Sequence, residues 1–188
     1  MGKVIVLREK DYLEEVSEEF KDRYEDAVSD LEFGKFEDAK KSLENLVNEK
    51  EDFAPAYNKL GVIFLYKKDL EEAEKWLKEG QEYDENFAPI ITNLGSLAKK
   101  REKIEKAEEL YKKALEINDE YGPAHNNLGV ILREKGNFSD SVKHLKKAKK
   151  LGSYSVKISE EPFYKRKGCL VPLGLAILFS ALIYLWLS

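Results

Sequence analysis

The sequence predicts an all-α protein: a solenoid of four helix–turn–helix units, followed by one C-terminal transmembrane helix. Three observations predict it. A spacing of 34 residues recurs without a gap through most of the 188-residue chain. The last twenty residues carry no charge, and sixteen of them are apolar. Charge is also ordered along the chain: net −8 over 1–53, −3 over 54–121 and +7 over 122–168, which together make the overall −4. Such a segregated chain is read segment by segment.

The period shows first in three Leu-Gly pairs, Leu60-Gly61, Leu94-Gly95 and Leu128-Gly129. It continues through Ala39, Ala73, Ala107 and Ser141, and through Leu43, Leu77, Tyr111 and Leu145. It also links Pro55, Pro89 and Pro123, each preceded by a small residue and, before that, an aromatic one (Phe53, Phe87, Tyr121). Several independent columns on one spacing identify a repeat array. Within a unit the pattern is helical. Pro123 suits a first helical turn. Asn127, Leu128, Ile131 and Leu132 follow helical spacing, and Gly136-Asn137 breaks the chain. Phe138, Ser141, Val142, Leu145 and Ala148 then form a second stripe. Glycine inside a helix costs about 1 kcal/mol against alanine. Gly61, Gly95 and Gly129 are therefore expected where a second helix approaches closely, answered by the small residues at 73, 107 and 141.

The first unit differs. Asp26-Ala27 stands where Leu-Gly is expected, and Leu13, Val16, Phe20, Tyr24, Ala27 and Leu31 make one apolar stripe. This predicts a single helix from about Asp11 to Phe33. Residues 3–8 (KVIVLR) are a short apolar start without an assigned role. The expected organisation is an N-terminal segment and helix start at 1–19, units at 20–53, 54–87, 88–121 and 122–153, a basic linker at 154–168, and a membrane helix at 169–188.

The units resemble tetratricopeptide repeats, which pair Leu-Gly in the first helix with an Ala–aromatic–Ala spacing in the second. Ala107, Tyr111 and Ala114 match that spacing fully; Ala73, Leu77 and Gly80, and Ser141, Leu145 and Ala148, match it loosely. The resemblance implies a right-handed superhelix with first helices lining a concave face, and a groove for a protein or peptide partner. It places Asn58, Lys59, Tyr66, Asn93, Lys99, Lys100, Asn126, Asn127 and Arg133 among the groove residues. In similar proteins an Asn at the position of Asn93 and Asn127 bonds a peptide backbone; an amide offers donor and acceptor together. The carboxylate clamp of chaperone-docking relatives is not matched, because Tyr24 and Val28, or Asn58 and Val62, occupy its first pair of positions.

The tail, CLVPLGLAILFSALIYLWLS, is long enough to span the hydrocarbon layer: a helix of this length covers roughly 30 Å. Lys165, Arg166 and Lys167 precede it, as expected on the cytosolic side, and Tyr184 and Trp186 suit the far interface. The expectation is a tail anchor with the repeats in the cytosol. Lys146, Lys147, Lys149 and Lys150 join the 165–167 triplet as a candidate surface for anionic lipid. Abundant Glu and Lys with one Gln, one Met and one Cys point to a prokaryotic cytoplasmic membrane, with an organelle outer membrane as the alternative.

Chemistry is sparse. One Cys and two His exclude an internal disulfide and the common thiol-based metal sites. Glu and Lys alternate at helical spacing as surface pairs, not as general acid and base. No catalytic residue, metal ligand or cofactor is assigned, and no nucleic acid is expected. The function expected is a membrane-anchored adaptor or scaffold at the cytosolic face. The alternatives are a fission- or import-type receptor of an organelle, and an assembly or regulatory factor of an envelope complex.

Overall fold

The computed structural model describes residues 8–153. They form α1 (Glu9–Glu14), α2 (Glu18–Glu32), α3 (Phe36–Glu49), α4 (Ala54–Lys67), α5 (Leu70–Tyr83), α6 (Ala88–Lys100), α7 (Ile104–Ile117), α8 (Gly122–Glu134) and α9 (Phe138–Lys150). No strand occurs among the described residues.

Four helix hairpins follow one another: α2/α3, α4/α5, α6/α7 and α8/α9. Within each hairpin a left-handed residue makes the turn, and it recurs with the repeat: Gly34 (φ 76°), Lys68 (φ 62°), Glu102 (φ 61°) and Gly136 (φ 81°). Between hairpins the chain leaves the second helix through an extended residue, Lys50, Asp84 or Asn118. It enters the next first helix past Phe53, Phe87 or Tyr121, with Pro in the opening turn. Proline is tolerated there because the first-turn N–H has no intrahelical partner. The side chains of Asp84 and Asn118 accept from the N–H two residues on, at 2.9 and 3.0 Å, and so fix that turn.

Each second helix also touches the next first helix, and the first helices α2, α4, α6 and α8 touch their neighbours in turn. The second helices make no comparable contact with one another. The stack therefore curves with the first helices on its inner side.

The seam between the layers is filled by the periodic columns. Ala39, Ala73, Ala107 and Ser141 are buried, as are Leu43, Leu77 and Tyr111. The glycines do mark close approach, but their partners are one turn further along than expected. A Cβ on Gly61, Gly95 or Gly129 would meet Leu77, Tyr111 or Leu145, at 2.5, 2.6 and 2.8 Å. The large column, not the small one, fills the space each glycine leaves. Ser141 serves instead as a hydrogen-bond donor across the hairpin, its hydroxyl reaching the Gly129 carbonyl at 2.7 Å.

The single helix expected from Asp11 to Phe33 is two. The break lies at Glu15–Ser17, where Ser17 adopts an extended backbone and its hydroxyl accepts from the Phe20 N–H at 3.2 Å. This N-cap starts α2 independently of what precedes it. The apolar stripe concealed the break because Leu13, before it, and Val16, within it, still pack on the core. The expected linker at 154–168, the expected membrane helix at 169–188 and residues 3–7 lie outside the described residues. Among the described residues no helix is long and apolar enough to cross a membrane.

Candidate binding groove

The inner face presents two repeated positions side by side. Tyr24, Asn58, Thr92 and Asn126 occupy one; Lys59, Asn93 and Asn127 occupy the next. Much of this polar surface ties neighbouring repeats together. Asn58 is buried, and its side-chain carbonyl accepts from Asn93 Nδ2 at 2.7 Å. Thr92 is buried and turns its hydroxyl back to the Ala88 carbonyl at 2.8 Å. Asn127 Nδ2 donates to Ser96 Oγ at 3.3 Å, and Ser96 also lies 3.3 Å from the Tyr111 hydroxyl. Lys99 is paired with Glu134 of the next first helix at 2.9 Å.

The remaining groove candidates are disposed differently. Lys100 and Arg133 are exposed. Tyr66 is 68% exposed and stacks on Phe36, with ring centres 5.7 Å apart, at the hairpin-turn end of the first two repeats. Asn126 Oδ1 is buried without a partner, while its Nδ2 reaches Asn127 Oδ1 only at 3.4 Å. Asn126 and Asn127 are half-buried, and Arg133 beside them is exposed. The open half of the groove thus lies on α8, around Asn126, Asn127 and Arg133.

The other half is covered by α1. Tyr12, 6% exposed, sets its ring edge against Phe53 and Phe87, at 6.0 and 5.5 Å between centres. Its hydroxyl donates to Asp84 Oδ2 at 2.7 Å. Glu9, one turn earlier, accepts from the Tyr24 hydroxyl at 2.7 Å and pairs with Lys59 at 3.1 Å. Burial and then the neighbouring carboxylate push both phenols upward, Tyr12 through Asp84 and Tyr24 through Glu9. Both stay neutral donors at any physiological pH. The sequence did not reveal this docking, because the single-helix reading from Asp11 placed Tyr12 on a continuous α2 and left Glu9 outside it.

The fold also unites two histidines that are unrelated in the repeat pattern. His125 Nδ1 and His144 Nδ1 are 2.8 Å apart, and His125 Nε2 lies 2.9 Å from the Asp119 carbonyl. A carbonyl only accepts, so Nε2 of His125 carries the proton and His144 Nδ1–H donates to His125. Their separation of 19 residues crosses the hairpin between α8 and α9. Lys143 and Lys147 line the same shallow depression. No cluster of three or more His, Cys, Asp or Glu able to hold a metal occurs among the described residues.

On α9, Lys146, Lys149 and Lys150 are exposed and Lys147 is half-buried. None of the four is ion-paired with another described residue, whereas Lys143 is paired with Asp140 at 2.8 Å. Lys165, Arg166 and Lys167 lie outside the described residues.

Three tetratricopeptide-repeat family models match the chain, over residues 24–86, 88–121 and 110–143. No curated protein sequence matches it. Among solved structures the chain is similar to PilF of Pseudomonas aeruginosa (19% identity, TM-score 0.60), over 70% of this chain and 60% of that one. It is also similar to MamA (23% identity, TM-score 0.55), over 77% of this chain and 84% of that one. A MamA structure from Desulfovibrio magneticus RS-1 is similar at 20% identity and TM-score 0.54, over 71% and 75%. The chain thus spans 60% of the PilF length. At these identities the likeness is one of fold.

Proposed function

We propose that this chain, whose residues 24–143 are built of tetratricopeptide repeats, is a membrane-anchored adaptor that holds a protein segment in its concave groove. The observation that carries the proposal is the open polar face of α8, where the half-buried Asn126 and Asn127 lie beside the exposed Arg133 on the inner face of the last repeat. A repeat fold supplies long concave surfaces suited to protein partners. The side-chain amides of Asn126 and Asn127 offer donor and acceptor together to a bound segment, and Arg133 suits an acidic side chain or a C-terminal carboxylate.

The membrane half of the proposal rests on the sequence of 169–188 and its basic approach. On this reading the α9 lysines and the 165–167 triplet rest against anionic headgroups, at about 1 kcal/mol per basic residue near the surface. The binding face then stands at the cytosolic surface and concentrates its partner there.

Two measurements test the two halves. The full chain should remain with membranes through a high-salt wash, and a 1–160 truncation should not; a full chain released by salt refutes the anchor. Chemical crosslinking of the full chain in its native membrane should yield a partner adduct that Asn126→Ala/Asn127→Ala reduces several-fold. An adduct of unchanged yield places the partner elsewhere.

A further inference from the structure

Helix α1 is the least self-sufficient element of the described chain. It has six residues. Isolated helices shorter than about 12 residues are marginal in water, so α1 owes its form to what it docks on. Its contacts come from the first two repeats and the joints that follow them: Tyr24 and Phe53 of the first, and Lys59, Asp84 and Phe87 of the second. Tyr24 and Lys59 occupy the same repeat positions as Asn126 and Asn127, so α1 lies on the binding face itself. The Ser17 cap lets α2 persist without it.

We infer that α1 is an intramolecular occupant of the groove, and that the groove's external ligand is a helical protein segment with a carboxylate residue three positions before a tyrosine. The two side chains three apart share one helix face. Lys59 and the Tyr24 hydroxyl receive the carboxylate. The slot between Phe53 and Phe87 receives the ring, and Asp84 accepts from the phenol. An edge-on aromatic contact of this kind adds to what area burial alone supplies. A short tether holds α1 at an effective concentration in the millimolar range. An outside segment therefore binds this half of the groove only by displacing it. The inference rests on the proposal that the concave face is the binding face, and it names the chemistry of that ligand.

The test uses the full chain in detergent micelles and a fluorescein-labelled peptide REKDYLEEVS, the sequence of residues 8–17. Fluorescence anisotropy should show at least tenfold tighter peptide binding to the Glu9→Ala/Tyr12→Ala chain than to the unaltered one. The same peptide with Tyr12→Ala should bind neither. Equal binding to both chains, or no binding to a double variant that keeps its cooperative thermal transition, overturns the inference. Hydrogen exchange on the unaltered chain covers the case of a variant that does not fold. Saturating peptide should expose the amides of Glu9–Glu14 while α4 and α6 keep theirs protected; amides of α1 that exchange only on global unfolding overturn it as well. A peptide that fails to bind while the Asn126- and Asn127-dependent crosslink persists sinks this inference alone. A peptide that binds while no such crosslink forms sinks the adaptor reading instead.

Discussion

At Lys68 and Glu102 the backbone enters the left-handed region that Gly34 and Gly136 occupy in the outer repeats. A side chain there costs roughly 1–2 kcal/mol, against about 0.4–1 kcal/mol that glycine adds to the freedom of the unfolded chain. Lys68→Gly and Glu102→Gly should each stabilise the protein by roughly 0.5–1 kcal/mol, read as a raised urea midpoint at unchanged slope. The opposite change, Gly136→Ala, should lower it. This column was half legible: Gly34 and Gly136 are three periods apart, but Lys68 and Glu102 between them carry no turn signature. Gly95 shows the converse case. Its Cβ would lie 2.6 Å from the Tyr111 ring, a rigid group buried in the seam. Overpacking of about 1–3 kcal/mol outweighs the helical gain of at most about 1 kcal/mol. Gly95→Ala should therefore destabilise, and so should Gly61→Ala, whose Cβ would lie 2.5 Å from Cγ of the fully buried Leu77. The sequence marked these glycines as points of close approach. It misplaced their partners by one turn, because small residues at 73, 107 and 141 looked complementary while Leu77 and Tyr111 actually fill the gap.

Among elements, the hairpin of α8 and α9 has its own pH sensitivity. Burial, and then the charge of His125, lower the pKa of His144 below its ordinary value; Asp140 opposes this, while Lys112 and Lys143 add to it. The unfolded chain therefore binds the proton more readily than the folded one. Stability is full above the unfolded histidine value near 6.5 and falls as pH drops below it. Thermal melts between pH 7.5 and 5 should show that loss, and His144→Gln should flatten it; an unchanged slope contradicts the assignment. The partnership of these histidines was not readable from spacing, since 19 residues matches neither one helix face nor the repeat. At the other end, the stripe from Leu13 to Leu31 kept helical spacing across a real break. Periodicity reports which side faces the core, and Ser17 is the local signal that should have divided it. Ser17→Ala should cost about 1 kcal/mol by uncapping α2, measured by denaturant unfolding.

Across the whole molecule, four hairpins bury a thin seam in a chain that is 36% charged. Neighbouring repeats are joined by ion pairs such as Lys99 with Glu134 and Lys135 with Glu108, the latter at 2.7 Å. Arg101 joins Glu74 and the Leu70 carbonyl of the preceding repeat. Lys78 and Arg101 together hold the Glu74 carboxyl down to about 2. The repeat architecture and its inner face were legible because every repeat writes the same columns again. The state of that face was not. Asn58, Asn93, Lys59 and Lys99 read as ligand contacts, yet in the structure they bond across repeats or to α1. Only contacts between repeats, or to a segment outside the period, distinguish a tie from a vacancy, and a period contains neither.

Everything functional turns on whether the partner sits on the inner face of α8. Site-specific photocrosslinking in intact cells reads this directly, with the probe placed at Asn127 in one variant and at the exposed Glu109 on α7 in another. A discrete protein adduct is expected from position 127 and none from position 109. Adducts of equal yield from both, or from position 109 alone, would place the partner off the groove and contradict the adaptor reading.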